Sequence, residues 1–218
     1  VSPFCLNMAT TKLQAVNTLL SIIGEAPVNS LVAPLTGDTS LADSVLDEIS
    51  KEVQGKGWSW NTMMYDSIPL DANGHSSLPS STLAVRFNPV SYPTQRFVLR
   101  GIKLFDRVKN SYDLRGSLGV ALTGSTTDLV AEIIEELDWD DIPETGKRYI
   151  MIRAGRIFSN RAITSTSIEA YTQEDEENAK QILKRTEDMA QSYNFISGPD
   201  DLYDGRVRTT FGPDILNR

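Results

Sequence analysis

Carboxylates are the residues of this sequence best suited to chemistry, and they concentrate between positions 132 and 144. Seven fall in that stretch: Glu132, Glu135, Glu136, Asp138, Asp140, Asp141 and Glu144. A glycoside hydrolase needs two carboxyl groups that flank the sugar bond it cuts, but the spacing here singles out no pair. Asp141 and Glu144 also suit the start of a helix, where negative charge is favoured. A structural role for these acids therefore comes first, and a glycoside hydrolase that acts on polysaccharide is the alternative.

Nucleophilic, metal and nucleotide chemistry find little support in the sequence. His75 is the only histidine and lies in the turn-rich stretch DANGHSS, and Cys5 is the only cysteine. A nucleophilic triad needs a base, most often a histidine, and a single cysteine can form neither an intrachain disulfide nor a thiolate cluster. The stretches TGDTS and TGKRY lack the second glycine of a phosphate-binding loop. We predict no catalytic residue, no metal site and no cofactor.

The net charge argues against tight binding of nucleic acid. The chain of 218 residues has 21 basic and 29 acidic residues, a formal net charge of −8, which is the wrong sign for gripping phosphates. Basic residues gather in GKRYIMIRAGRIFSNR, where Arg153 and Arg156 lie three positions apart on a predicted helix. We expect these two to contact a protein partner. No apolar run is long enough to span a bilayer, so we expect no membrane contact.

Two stretches before position 56 carry apolar residues at helical spacing. Thr11 and Gln14 have the spacing of a capping box, and the helix that they begin should end at Gly24. A second capping box at Ser40 and Asp43 should begin the next helix.

Two further helices are predicted after position 138. Asp141 is placed to cap the third helix, with Pro143 in its first turn. The fourth should run from about Ser167 to Tyr193. The middle of this helix should face water or a partner, because it carries four consecutive acids: Glu174, Asp175, Glu176 and Glu177.

The segment between the helix pairs, residues 60–137, has the pattern of short strands separated by turns. The stretch TDLVAEIIEEL within it fits a helix or a strand, and we favour a strand. Beyond the fourth helix, residues 196–218 are rich in Gly, Pro and Asp and predict an arm that orders against another surface. The apolar anchors predicted for this arm are Phe195, directly before it, and Tyr203, Phe211 and Ile215 within it.

These elements predict an α+β fold in which helices from both ends of the chain form a four-helix bundle, with an antiparallel β domain inserted between them. The predicted division is residues 8–58 and 138–195 for the bundle, 59–137 for the β domain and 196–218 for the arm. Residues 1–7 precede Met8, the expected natural start, and we interpret them as a leader or as residues added upstream.

The stretch VQGKGWSWN places two glycines and two tryptophans within nine positions. Gly55 and Gly57 should end the second helix and let the backbone turn, and Trp58 and Trp60 should alternate on the first extended residues. We expect one tryptophan to fill the joint between bundle and β domain and the other to face a neighbouring subunit. The alternative, that both belong to the core of one chain, stays open.

Four stretches, in this order, resemble the tail tubular protein A family of short-tailed bacteriophages: AVNTLLSIIGEAPVNSL, VQGKGWSWN, KLFDR and DWDDIPETGKRYIMIRAGRIFSNR. The resemblance extends from Met8 to Tyr193. It implies a structural protein of the virion tail, made in the host cytoplasm, that joins the portal protein to the tail nozzle formed by tail tubular protein B. It also implies that tail fibres attach near that junction.

The resemblance also implies a dodecameric ring through whose bore the genomic DNA passes without specific binding. We expect Trp58, Trp60, Arg153 and Arg156, together with the anchors of the arm, to contact the portal or neighbouring subunits. Residues 174–177 are the candidates for lining the bore, where acidic side chains repel DNA.

Overall fold

The computed structural model describes residues 9–87, 96–115, 129–162 and 171–190, and the fold there is α+β, as predicted. Its helices are α1 (Lys12–Ile22), α2 (Gly37–Gln54), α3 (Glu144–Ala162) and α4 (Gln173–Ala190). Its strands are β1 (Thr62–Ile68), β2 (Thr82–Arg86), β3 (Phe97–Arg100), β4 (Lys103–Asp106) and β5 (Leu129–Glu135). The strands therefore lie between two pairs of helices along the chain.

The first two helices begin with threonine caps. The predicted capping box of α1 is confirmed, with Thr11 and Gln14 exchanging hydrogen bonds. The predicted start of α2 near Ser40 is wrong, because the Thr36 side chain accepts a hydrogen bond from the backbone N–H of Thr39. This bond satisfies a free donor of the first turn, so the helix begins three residues earlier, at Gly37.

The starts of α3 and α4 also differ from the predictions. Asp141 does not cap α3, because it lies in the separate 3₁₀ turn Trp139–Asp141 that precedes Pro143. The helix predicted from Ser167 does not include Tyr171, because Thr172 and Asp175 form the cap of α4: the Asp175 N–H donates to Thr172 Oγ1 at 3.1 Å. The predicted end at Tyr193 lies outside the described residues.

The described strands form two antiparallel sheets. β5 lies between β1 and β2, and β3 pairs with β4 in a hairpin. The strand favoured for the stretch after residue 128 is confirmed, and its alternate residues Leu129, Ala131 and Ile133 are buried in the core of the sheet. Successive side chains of a strand point to opposite faces, so Ile134 points the other way and lies beside Gly57.

The described residues contain two hydrophobic clusters. One joins the four helices and includes Trp58 and Trp139. The other covers the sheets and includes Ile68, Leu104 and Leu129. Helices and strands thus have cores of their own, while the domain boundaries given above stay predictions. None of the helices in the described ranges is both long and apolar enough to cross a membrane.

Candidate interaction surfaces

Gly57 lies where α2 ends and the chain enters the sheet. Its φ of +74° is a left-handed conformation that glycine adopts without steric cost. A Cβ at this position would lie 2.5 Å from Ile134 Cδ1 and 3.0 Å from Arg86 Nη2. Arg86 also donates to the carbonyl of Lys56 at 2.7 Å. The strands β2 and β5 therefore pack directly on the end of α2.

Two buried amide side chains, Gln54 and Asn61, bond this helix end to the end of β5. Asn61 Nδ2 donates to the carbonyls of Gln54 and Glu135, both at 2.9 Å, and its Oδ1 accepts from the Trp58 N–H at 2.8 Å. Gln54 Oε1 accepts from the Leu137 N–H at 2.7 Å, and Gln54 Nε2 donates to the Leu137 carbonyl at 3.1 Å. Because both side chains are buried, these bonds hold the helix and the strand in one fixed relation.

The two tryptophans of the joint have different surroundings. Trp58 is 9% exposed, belongs to the helical cluster and donates from Nε1 to the Val53 carbonyl at 2.8 Å. Trp60 lies in the 3₁₀ turn Ser59–Asn61, so its predicted extended conformation is wrong. Trp60 packs partly against the helical cluster beside Gly146. A contact between Trp60 and a neighbouring subunit stays a prediction.

Arg153 and Arg156 converge on the carboxylate of Glu176. Arg153 Nη1 donates to Glu176 Oε1 at 2.6 Å, and its Nη2 donates to Glu52 Oε1 at 2.6 Å. Arg156 donates to the other oxygen of Glu176, whose side chain is 12% exposed. These two acids and two bases, on α2, α3 and α4, thus link the three helices. Both arginines are engaged within the chain, and their contact with a partner stays a prediction.

The pKa of Glu176 reflects two opposing effects. Burial raises the pKa, but the hydrogen bonds from Arg153 and Arg156 together lower it by more, so the pKa of Glu176 lies below its ordinary value. The pKa of Asp175 also lies below its ordinary value, because the carboxylate accepts hydrogen bonds from the backbone and the hydroxyl of Thr172. Both carboxylates are therefore held in the charged form by groups of this chain.

The helix α4 buries little of its surface. Ala179 and Leu183 are its buried residues, whereas Ile182 is 49% exposed and Met189 is 78% exposed. A helix attached by so little apolar area depends on its polar contacts, which makes the ion pairs of Glu176 important to its position.

The remaining acids of the predicted bore lining occupy the exposed start of α4. Glu174, Asp175 and Glu177 are exposed, and Glu177 forms an ion pair with Lys180 at 3.2 Å. Of the four predicted acids, Glu176 alone turns toward the other helices. The anchors predicted for the arm, Phe195, Tyr203, Phe211 and Ile215, lie outside the described residues.

A groove of about 240 Å³ is where the alternative hydrolase function could be sought, because Asp47, Glu136 and Asp138 line it. Lys12 Nζ lies 2.8 Å from Asp47 and Lys51 Nζ lies 3.4 Å from Glu136. Two of these three carboxylates are thus engaged in ion pairs, whereas a hydrolase requires one carboxyl group that carries a proton. In the described ranges, no cluster of three potential metal-ligating side chains occurs. The groove adds no support for catalysis.

Sequence reasoning missed the residues that fix the joint and the position of α4. Asn61 lies three positions after Trp58, which is the spacing of a capping box. The local sequence could therefore have indicated that Asn61 accepts a hydrogen bond from the Trp58 N–H. Gln54 pairs with Leu137, 83 positions away, and Glu176 pairs with Arg153, 23 positions away. No local pattern indicates such pairs.

Comparison with known proteins gives a match to a family model that covers most of the chain. The family model described as "Tube: Tail tubular protein" matches residues 13–193. This range includes nearly all of α1, the other helices, the joint at Gly57 and the ion pairs of Glu176. A search of curated proteins finds no match to the chain.

Proposed function

The chain belongs to the tail tubular protein family, which indicates a structural component of a bacteriophage tail, and we propose that it is the adaptor between the portal protein and the tail nozzle. In this proposal the copies form a dodecameric ring, tail fibres attach near its junction with the nozzle, and genomic DNA passes through the bore. The observation that carries the proposal is the family match over residues 13–193.

The joint at Gly57 suits such a role. An adaptor transmits position from one ring to the next, so its two parts must keep a fixed angle. The buried bonds of Gln54 and Asn61 and the tight packing of Ile134 on Gly57 supply that rigidity. We propose that the helical part, residues 8–58 and 138–195, and the β part, residues 59–137, face different neighbours.

The negative net charge of the chain supports a bore through which DNA passes without being bound. A subunit with a formal net charge of −8 repels the phosphate backbone. We propose that Glu174 and Glu177, which are exposed, contribute to the lining of the bore. The family indicates a structural protein rather than an enzyme, and reducing-sugar release from host polysaccharide by the purified chain would contradict that part of the proposal.

Reconstitution with the portal and nozzle proteins of the same genome tests the proposal. Tagged portal should retain the nozzle protein only when this chain is added, because the adaptor supplies both binding surfaces. Retention of the nozzle without the chain, or a chain that binds neither protein, would contradict the adaptor role.

A further inference from the structure

The hairpin of β3 and β4 and the turn after it, residues 96–115, form a basic patch on this acidic chain. Six basic residues stand against two acidic ones: Arg96, Arg100, Lys103, Arg107, Lys109 and Arg115 against Asp106 and Asp113. We call residues 96–115 the basic hairpin. Asp113 neutralises Arg115, at 2.7 Å, and the buried Asp106 accepts hydrogen bonds at Oδ1 from the backbone N–H groups of Val108 and Lys109, so basic residues still outnumber acids in the basic hairpin.

Four cations of the basic hairpin form no ion pair with any residue in the described part of the chain, and all four are exposed: Arg100, Lys103, Arg107 and Lys109. In contrast, Arg153 and Arg156 on α3 are neutralised by Glu176. Arg100 and Lys103 also lie directly opposite each other in the β3–β4 pairing. Like charges in that position are destabilising, so an anion bound from outside would relieve a repulsion built into the hairpin.

Exposed apolar side chains alternate with these cations. Ile102 is 47% exposed between Arg100 and Lys103, and Val108 is 64% exposed between Arg107 and Lys109. Exposed apolar groups mixed with arginine and lysine fit a protein surface, where they can be buried at the centre of an interface. A phosphate backbone offers them no apolar counterpart.

We propose that the basic hairpin binds the acidic surface of a neighbouring copy of this chain. The inference rests on the proposed ring. In a closed ring each copy presents two different faces to its neighbours, and subunits with a formal net charge of −8 repel one another unless unlike charges meet. The described helical part exposes carboxylates without ion pairs, for example Asp138, Asp140 and Asp141, so a second copy carries the required charge.

Charge reversal at the basic hairpin tests the proposal. The double variant Lys103→Glu/Arg107→Glu changes two exposed side chains and leaves Arg100 stacked on Phe105, 3.6 Å from the ring centroid. The control is Lys184→Glu/Arg185→Glu on α4, which makes the same change of charge at two exposed residues. Thermal unfolding of both variants checks that the fold is intact. Native mass spectrometry then measures the chain concentration at which rings form on the portal protein of the same genome.

We expect the hairpin variant to need at least about tenfold more protein than the natural chain, equivalent to about 1.4 kcal/mol, and the control to assemble like the natural chain. High salt should weaken ring formation by the natural chain and so reduce the difference in ring-forming concentration between the natural chain and the hairpin variant. Equal assembly of the hairpin variant and the natural chain would overturn the proposal and leave the adaptor role standing. If the natural chain itself forms no ring, the adaptor role fails and the hairpin contact fails with it.

A duplex DNA oligonucleotide serves as the second probe. The proposal expects no measurable binding by the natural chain. Salt-dependent DNA binding that Lys103→Glu/Arg107→Glu abolishes, together with unchanged ring assembly, would assign the basic hairpin to nucleic acid and overturn the proposal.

Discussion

At the scale of single residues, Glu176 connects α4 to the rest of the helices. The substitution Glu176→Gln keeps the shape of the side chain but removes the charge that Arg153 and Arg156 share. We expect a loss of about 2 kcal/mol in the free energy of unfolding, because hydrogen bonds to charged and largely buried groups are stronger than neutral ones. Denaturant unfolding followed by circular dichroism measures the loss.

The matched control is Glu177→Gln, the next residue along the same turn. Glu177 is 55% exposed and pairs only with Lys180 among the described residues, so its replacement should change the free energy of unfolding by less than about 0.5 kcal/mol. Equal losses for Glu176→Gln and Glu177→Gln would show that the ion pairs do not hold α4.

The lowered pKa of Glu176 predicts how this contribution depends on pH. A carboxyl group whose pKa is lower in the folded state stabilises the fold above its ordinary pKa of 4.5, and the contribution is lost as the pH falls through the folded value. The difference in melting temperature between the natural chain and Glu176→Gln should therefore be constant near neutral pH and shrink below pH 4.5. A difference that grows on acidification would contradict this assignment.

How well the sequence predicts the contacts of these residues depends on how far apart they lie along the chain. The spacing of Arg153 and Arg156 predicts a shared helix face, but the acid that binds both belongs to a different helix. The EDEE stretch favours a solvated face, and Glu174, Asp175 and Glu177 are exposed. Glu176 differs because α4 packs on α3 at that position, which no local pattern encodes.

At the scale of secondary structure elements, Gly57 sets the connection between α2 and the sheet. The substitution Gly57→Ala forces a Cβ into a left-handed backbone, at a cost of about 1–2 kcal/mol, and against Ile134 Cδ1 at 2.5 Å. Overpacking a core adds about 1–3 kcal/mol. We expect a clear fall in melting temperature, measured by differential scanning calorimetry.

Gly24→Ala separates the two effects. Gly24 also follows a helix with a positive φ, of +79°, but nothing lies within 4 Å of a Cβ built there. Its variant should show only the backbone cost, so Gly57→Ala should be the less stable of the two. Equal stability would mean that the sheet does not pack tightly on the end of α2.

The elements differ in how far the sequence predicts them. The capping box at Thr11 and Gln14 is local and was predictable, and the alternation of Leu129, Ala131 and Ile133 correctly favours a strand. The start of α2 was missed, because Gly37 has low helix propensity and the threonine cap before it outweighs that preference. The 3₁₀ turn at Trp60 depends on Asn61, whose bond to the carbonyl of Glu135 is not local.

At the scale of the whole molecule, the order of helices and strands and the family are both visible in the sequence. The order follows from hydrophobic periodicity, and the family follows from stretches such as VQGKGWSWN, which lie inside the matched range 13–193. Strand order could not be predicted, because β5 pairs with β1 and β2 across long separations. Contacts between subunits depend on surfaces that periodicity does not describe.

The predicted arm can be tested by deletion. Removing residues 196–218 should leave the melting temperature of the chain unchanged, because a segment rich in Gly, Pro and Asp has too few apolar residues to build a core. Ring formation with the portal protein should weaken, because Tyr203, Phe211 and Ile215 are the predicted anchors. Analytical ultracentrifugation measures the change, and assembly equal to that of the full chain would contradict a role for the arm.

The central claim, that this chain is a ring-forming adaptor, is tested most directly by its native mass alone and after mixing with the portal protein of its own genome. We expect a monomer or weak oligomer alone and, with portal, a complex that contains a ring of twelve copies of the chain. A mass that portal leaves unchanged, with or without the nozzle protein, would show that the chain is not a ring-forming adaptor.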